Sequence, residues 1–278
     1  MIDLILNYRF MQYALIAGIL SSIVCGIIGV IIIEKKLIMM SGGIAHTAYC
    51  GVGLGYLCNF EPILGALASA VISAICIGNV KNKKYYDVII GLFWSLGMAL
   101  GVIFVTLTPG YSPNIDSYLF GSILSITTTD LYLMIGLTII VLLTIIVFFN
   151  YWKLFIFDEN FAKIRGIKTK LLHYTLLILI ALTIVILIRV VGIILIMALL
   201  CAPAAIAALI SKKLQSRMII ASAFGIIFNF LGLYIAYLFD MPSGASIAIF
   251  AVVTFFIFYI GKSIYTKFNI KKLTKIKN

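Results

Sequence analysis

The chain has 278 residues, of which 64% are hydrophobic and only 11% charged, against about 45–50% and about 25% in soluble globular domains. With a mean hydropathy of +1.21, this composition excludes a disordered chain, a secreted disulfide scaffold and an ordinary soluble enzyme. The net charge of +12 would suggest a nucleic-acid partner in a soluble protein. In a membrane chain it reports loop topology instead, and no nucleic acid is expected.

Nine runs of apolar residues lie near 11–33, 40–58, 62–78, 87–107, 131–149, 171–188, 193–210, 217–238 and 245–261. Each is continuous rather than alternating, and a continuous run satisfies its backbone in lipid only as a helix. The expected fold is all-α: one polytopic membrane helix bundle of eight to nine transmembrane segments, a single unit over residues 1–278. The first run ends at Glu34-Lys35-Lys36 and reads as a retained span, not a cleaved leader. The second opens on Ser41-Gly42-Gly43 and carries His46, so a broken or partly re-entrant segment is expected there. An ionisable side chain inside a span is costly, and its neutral imidazole is a ligand for transition metals. His46 is the candidate metal-pathway residue, with hydrogen-bonded packing as the alternative reading.

Gly51-x-x-x-Gly55 and Gly97-x-x-x-Gly101 are spacings that let helices approach closely. The connection from Thr108 to Asp130 contains Asp116 and Asp130 but no Lys or Arg. Residues 153–170 form a further polar interruption. Within them, Asp158 is a candidate N-cap, acids precede bases, and Gly166 ends a short amphipathic helix. Its Phe161 and Ile164 share one face, which reads either as a docking knob for a partner's groove or as part of a solvated surface helix. His173 is expected at a helix start near the interface. Ala198 to Ala205 is a small-residue span with Pro203 inside it, and Asp240-Met241-Pro242-Ser243-Gly244 is a turn before the last run. The five cysteines read as small buried hydrophobes.

If the lysine-rich C-terminus is cytoplasmic, nine spans leave only Arg9 and Arg189 of the 21 basic residues outside. That asymmetry is what the positive-inside rule requires. Asp116, Asp130 and Asp240 then face outward, where they would steer cations weakly. There is no phosphate-binding loop: Gly261-Lys262-Ser263 lacks the earlier glycine, because Phe256 stands there. No His-Glu-x-x-His motif occurs either, so catalysis by this chain is not expected.

Taken together, Phe10-Met11-Gln12, Ser41 to Gly55, Glu159 to Gly166, Arg189-Val190-Val191-Gly192, Ala198 to Ala205 and the Pro-Ser-Gly cap resemble the ABC-3 permeases. These are the membrane subunits of bacterial zinc, manganese and iron importers. The resemblance implies two copies of the permease, a cytoplasmic ATP-binding subunit and an extracytoplasmic metal-binding protein in the inner membrane. It implies a transported divalent metal, zinc first, with manganese or iron as alternatives and no permanently bound cofactor. An ion-coupled secondary carrier is the competing class. In the family pattern, Glu159, Ala162 and Gly166 match the loop that couples to the ATPase, and His46 matches the pathway histidine. Pro203, Gly51 and Gly55 are gating or packing positions. The family's acid one turn before the histidine is absent here, since Gly42 occupies that place.

Overall fold

The computed structural model describes residues 9–80, 83–109, 121 and 126–277, with the side chains of Lys83 and of 265–277 excepted. Asp116 lies outside the described residues. Eleven α-helices follow one another among them: α1 (Arg9–Glu34), α2 (Ile38–Leu57), α3 (Pro62–Gly78), α4 (Tyr86–Leu107), α5 (Thr128–Val147), α6 (Phe149–Phe157), α7 (Glu159–Ile164), α8 (Thr169–Val191), α9 (Ile193–Ile210), α10 (Leu214–Phe239) and α11 (Ser243–Lys277).

Every apolar run of the sequence is a helix. Seven of these helices, α1, α4, α5, α8, α9, α10 and the 243–264 part of α11, are long and apolar enough to cross a membrane. The 17-residue α3 is a shorter apolar helix, and the glycine-rich α2 falls outside those seven. The break expected in α2 is not found. Ser41 Oγ donates to Ile38 O at 2.7 Å, and the helix continues through Gly42 and Gly43 to Leu57. Glycine only weakens a helix, and here the neighbours hold it.

The helices form two groups. One packs α2 against α3 and α4; the other packs α1 against α9 and α10, with α11 on α9 and α10. Helix α8 touches both, lying on α3 and α2 of the first and on α9 and α1 of the second, with α5 also against it. Water does not drive helices together inside lipid, so close packing and hydrogen bonds must do so. The seams show how. In the first group, a Cβ on Gly51 would strike the Gly65 carbonyl, and one on Gly53 would lie 2.7 Å from Gly101 O. A Cβ on Gly97 would lie 2.7 Å from the His46 carbonyl. Thr47 donates to Ser73 at 2.7 Å across α2 and α3.

The second group uses Gly18, Ser22 and Gly26 of α1 against α10. The buried Asn229 amide donates to Ser22 Oγ at 2.8 Å and to Gly18 O at 3.2 Å. Outward-facing positions such as Leu96, Leu143, Ile146 and Ile249 are exposed apolar side chains, a surface suited to hydrocarbon rather than water.

Two ends of the bundle are distinguished by charge. At one end Arg217 ion-pairs with Glu34, Lys35 meets Glu159 at 3.7 Å, and Tyr174 donates to Asn79 at 2.7 Å. His173 sits there too, its Nε2 3.4 Å from Gly78 O, as an interfacial residue would. At the other end, Arg189 Nε lies 3.1 Å from Asp130. There Gly192, at φ +82°, forms a one-residue corner between α8 and α9. The cysteines are all unpaired, but only Cys25 is buried, and Cys58 and Cys76 are exposed. The uniform burial expected of them is therefore corrected.

Candidate metal pathway and coupling segment

His46 sits at mid-length in α2, where the close approach of α4 at Gly97 brings a second ring within reach. The half-buried imidazole stacks on the Trp94 indole, with centroids 4.3 Å apart and planes 21° from parallel. Its Nδ1 is buried and has no hydrogen-bond partner. One turn earlier, a Cβ on Gly42 would lie 3.0 Å from Trp94 Cζ3 and 3.4 Å from Met197 Cε. The space in which an acid would accompany His46 is thus taken by Trp94 and Met197.

Beside this cluster, Met197 and Cys201 line an apolar trough of about 700 Å³ with Ile33, Ile38, Ile249 and Phe256. Pro203 is buried in α9, which runs unbroken through it from Ile193 to Ile210. Gly55 packs against Pro62 at the α2–α3 turn, and Gly51 on the Gly65 backbone, so both serve close packing. Among the described residues, no three His, Cys, Asp or Glu side chains gather in a group that could hold a metal.

The polar segment folds as its sequence suggests. Asp158 caps α7 by accepting from Phe161 N–H at 2.9 Å. Glu159 pairs with Lys163 at 2.9 Å, one turn on. Ala162 is fully buried, while Phe161 and Ile164 are 41% and 83% exposed and project as a small apolar knob. The hydrogen bond from Lys163 holds the Glu159 carboxyl below its usual range, although partial burial opposes this and the Lys35 charge assists it.

The helix ends on a Schellman motif. Ile167 N–H donates to Ala162 O and Gly166 N–H to Lys163 O, both at 3.0 Å. Gly166 adopts φ +77°, yet nothing lies within 4 Å of where its Cβ would be, so its requirement is conformational and not steric. Gly166→Ala is expected to destabilise this loop by about 1–2 kcal/mol, read as faster amide exchange at residues 162–167 with the bundle unchanged.

The acids at the other end differ from one another. Asp130 is 5% exposed. Its carboxylate accepts from Thr127 Oγ1 at 2.6 Å in a reciprocal capping box and pairs with Arg189. A carboxylate neutralised in this way is not a free attractor of cations, and Asp130 leaves that set. Asp240 is exposed, but it stands in the left-handed region at φ +51° as the C-cap of α10. A cavity of about 250 Å³ at this end is lined by Glu61, Tyr56 and Arg189.

Residues 7–262 match the ABC 3 transport family. The chain belongs to that family. It is 39% identical over 254 residues to an uncharacterized membrane protein of Synechocystis sp., slr2045, covering 91% of this chain and 90% of the other. It is 34% identical over 255 residues to the manganese transport system membrane protein MntC of Halalkalibacterium halodurans, covering 91% and 87%. Among solved structures it is similar to PsaBC from Streptococcus pneumoniae in complex with Fab. There the TM-score is 0.83 with 35% identity over 93% of this chain and 94% of that one.

Within this ABC 3 chain, Trp94 and Met197 are the residues that sequence reasoning did not single out. One of two tryptophans in the whole chain, in the middle of a span, was the available signal for Trp94. No periodicity could have shown that Trp94 stacks on His46, or that Met197 of α9 reaches Gly42 of α2.

Proposed function

We propose that this chain is the membrane permease of a divalent-metal importer in the bacterial plasma membrane, driven by ATP hydrolysis in a separate cytoplasmic subunit. The carrying observation is its 34% identity, over nine-tenths of the chain, to a manganese transport system membrane protein. Manganese therefore takes the place first given to zinc, with zinc and iron as competing cargoes. All nine long helices cross in this reading, α2 and α3 shielded by their neighbours, with the lysine-rich end of α11 in the cytoplasm.

The α7 knob then faces the ATP-binding subunit, where Glu159, Ala162 and Gly166 shape the docking element. An extracytoplasmic metal-binding protein delivers cargo at the Arg189 end. The apolar trough beside Met197 seats a second copy, which brings two His46 imidazoles toward one path. The buried, unpartnered Nδ1 supports this role, because an imidazole serving packing alone would be hydrogen-bonded. Neutral nitrogen ligation suits a divalent transition ion in transit.

Reconstitution of the chain with its ATP-binding subunit tests the reading. Manganese is expected to stimulate hydrolysis and uptake more than zinc or iron at equal concentration. Uptake by the permease alone, without ATP, would overturn it in favour of a secondary carrier. A tag on the C-terminus is expected to be protected in right-side-out vesicles, and its digestion by external protease would reverse the orientation.

A further inference from the structure

Lys35 occupies an unusual position for a basic residue next to a span. Its side chain is 17% exposed, and its Nζ lies 3.7 Å from Glu159 Oε2 and 3.6 Å from the centre of the buried Phe155 ring. The ammonium is therefore held between α6 and the first residue of α7, not spread into solvent. Burial lowers its pKa, while the Glu159 charge opposes that shift.

The backbone around Lys35 is equally constrained. Lys36 takes φ +58°. Its N–H donates to Ile33 O at 3.1 Å and the Leu37 N–H to Ile32 O at 2.8 Å, closing α1 with a Schellman motif. Only residues 35–37 separate α1 from α2. His46 follows eight residues into α2, about 12 Å along its axis at the α-helical rise. A push on Lys35 thus reaches the pathway helix through a tight turn with little slack.

We propose that Lys35 is a positioning residue that transmits displacement of α7 to the α1–α2 link, and so to His46. This rests on the permease reading above. In that scheme Glu159 acts within the chain, held by Lys35 and Lys163, while the exposed Phe161 and Ile164 are the surface left for the ATP-binding subunit. Arg217 and Glu34, paired one residue away on the chain, anchor the end of α1 to α10, so the link pivots about a fixed point.

The test uses the assembled complex and reads metal imported per ATP hydrolysed. Lys35→Gln is expected to lower this ratio at least five-fold while ATPase binding and hydrolysis persist. Lys35→Arg is expected to retain most of it. The charge-swapped Lys35→Glu, Glu159→Lys protein is expected to recover part of what Lys35→Glu alone loses. An unchanged ratio in Lys35→Gln would overturn the proposal, as would loss of ATPase binding, which would make Lys35 a docking residue. A wild-type complex that hydrolyses ATP without moving metal would instead overturn the permease reading. Amide exchange in the isolated chain then still decides the contact, since Lys35→Gln must loosen α7 if Lys35 holds it.

Discussion

Replacing His46 with alanine is expected to reduce metal uptake by roughly ten- to hundred-fold, the scale on which loss of a metal site's supporting groups is felt. The complex is expected to assemble normally. His46 contributes its ring to one stack, on Trp94, and no hydrogen bond from Nδ1 is broken by its removal. His46→Gln, which keeps a polar atom but not the imidazole lone pair, is expected to behave like alanine. Uptake at wild-type rates across a manganese titration would reduce His46 to a packing residue. Trp94→Leu provides a companion measurement. It removes the stacked face without touching the ligand, so uptake is expected to fall less than in His46→Ala, with the apparent affinity changing more than the maximal rate.

The largest structural effect is expected at Gly51. A side chain there meets the backbone carbonyl of Gly65 and the hydroxyl of Ser69, and a carbonyl in a helix cannot rotate aside. Overpacked cores lose about 1–3 kcal/mol when side chains can adjust; against backbone, Gly51→Leu is expected to exceed that range and prevent accumulation of folded protein. The readout is the monodisperse fraction after detergent extraction. Gly136→Ala and Gly91→Ala serve as controls, because nothing lies within 4 Å of either added Cβ. Both are expected to fold normally. Normal yield from Gly51→Leu would mean that the α2–α3 seam opens without cost.

The positions of the helices were legible because lipid imposes one solution on a continuous apolar run. Segments 62–78 and 193–210 coincide with α3 and α9. The cap at Asp158 and the stop at Gly166 were legible for a similar reason, since both are local rules spanning a few residues. The end of α11 was not. The apolar run stops at 261 while the helix continues to Lys277, because hydropathy marks what a membrane can cover, not where hydrogen bonding ends. Pairings distant in sequence were hidden too. Asp130 reads as a free outer acid until Arg189, far along the chain, is placed beside it. The stack of His46 on Trp94 depends on Gly97 drawing α4 against α2, a three-dimensional fact with no one-dimensional trace. Gly42 carried a partial signal: its departure from the family pattern was visible, but the ring filling its place was not.

Helices that meet through bare backbone have no deformable layer of side chains between them. At Gly51, Gly53 and Gly97 this holds for α2, α3 and α4 together, so the trio is expected to respond to force as one stiff plate. A displacement delivered through the tight link at residues 35–37 is then expected to reach all three helices with little lost to bending.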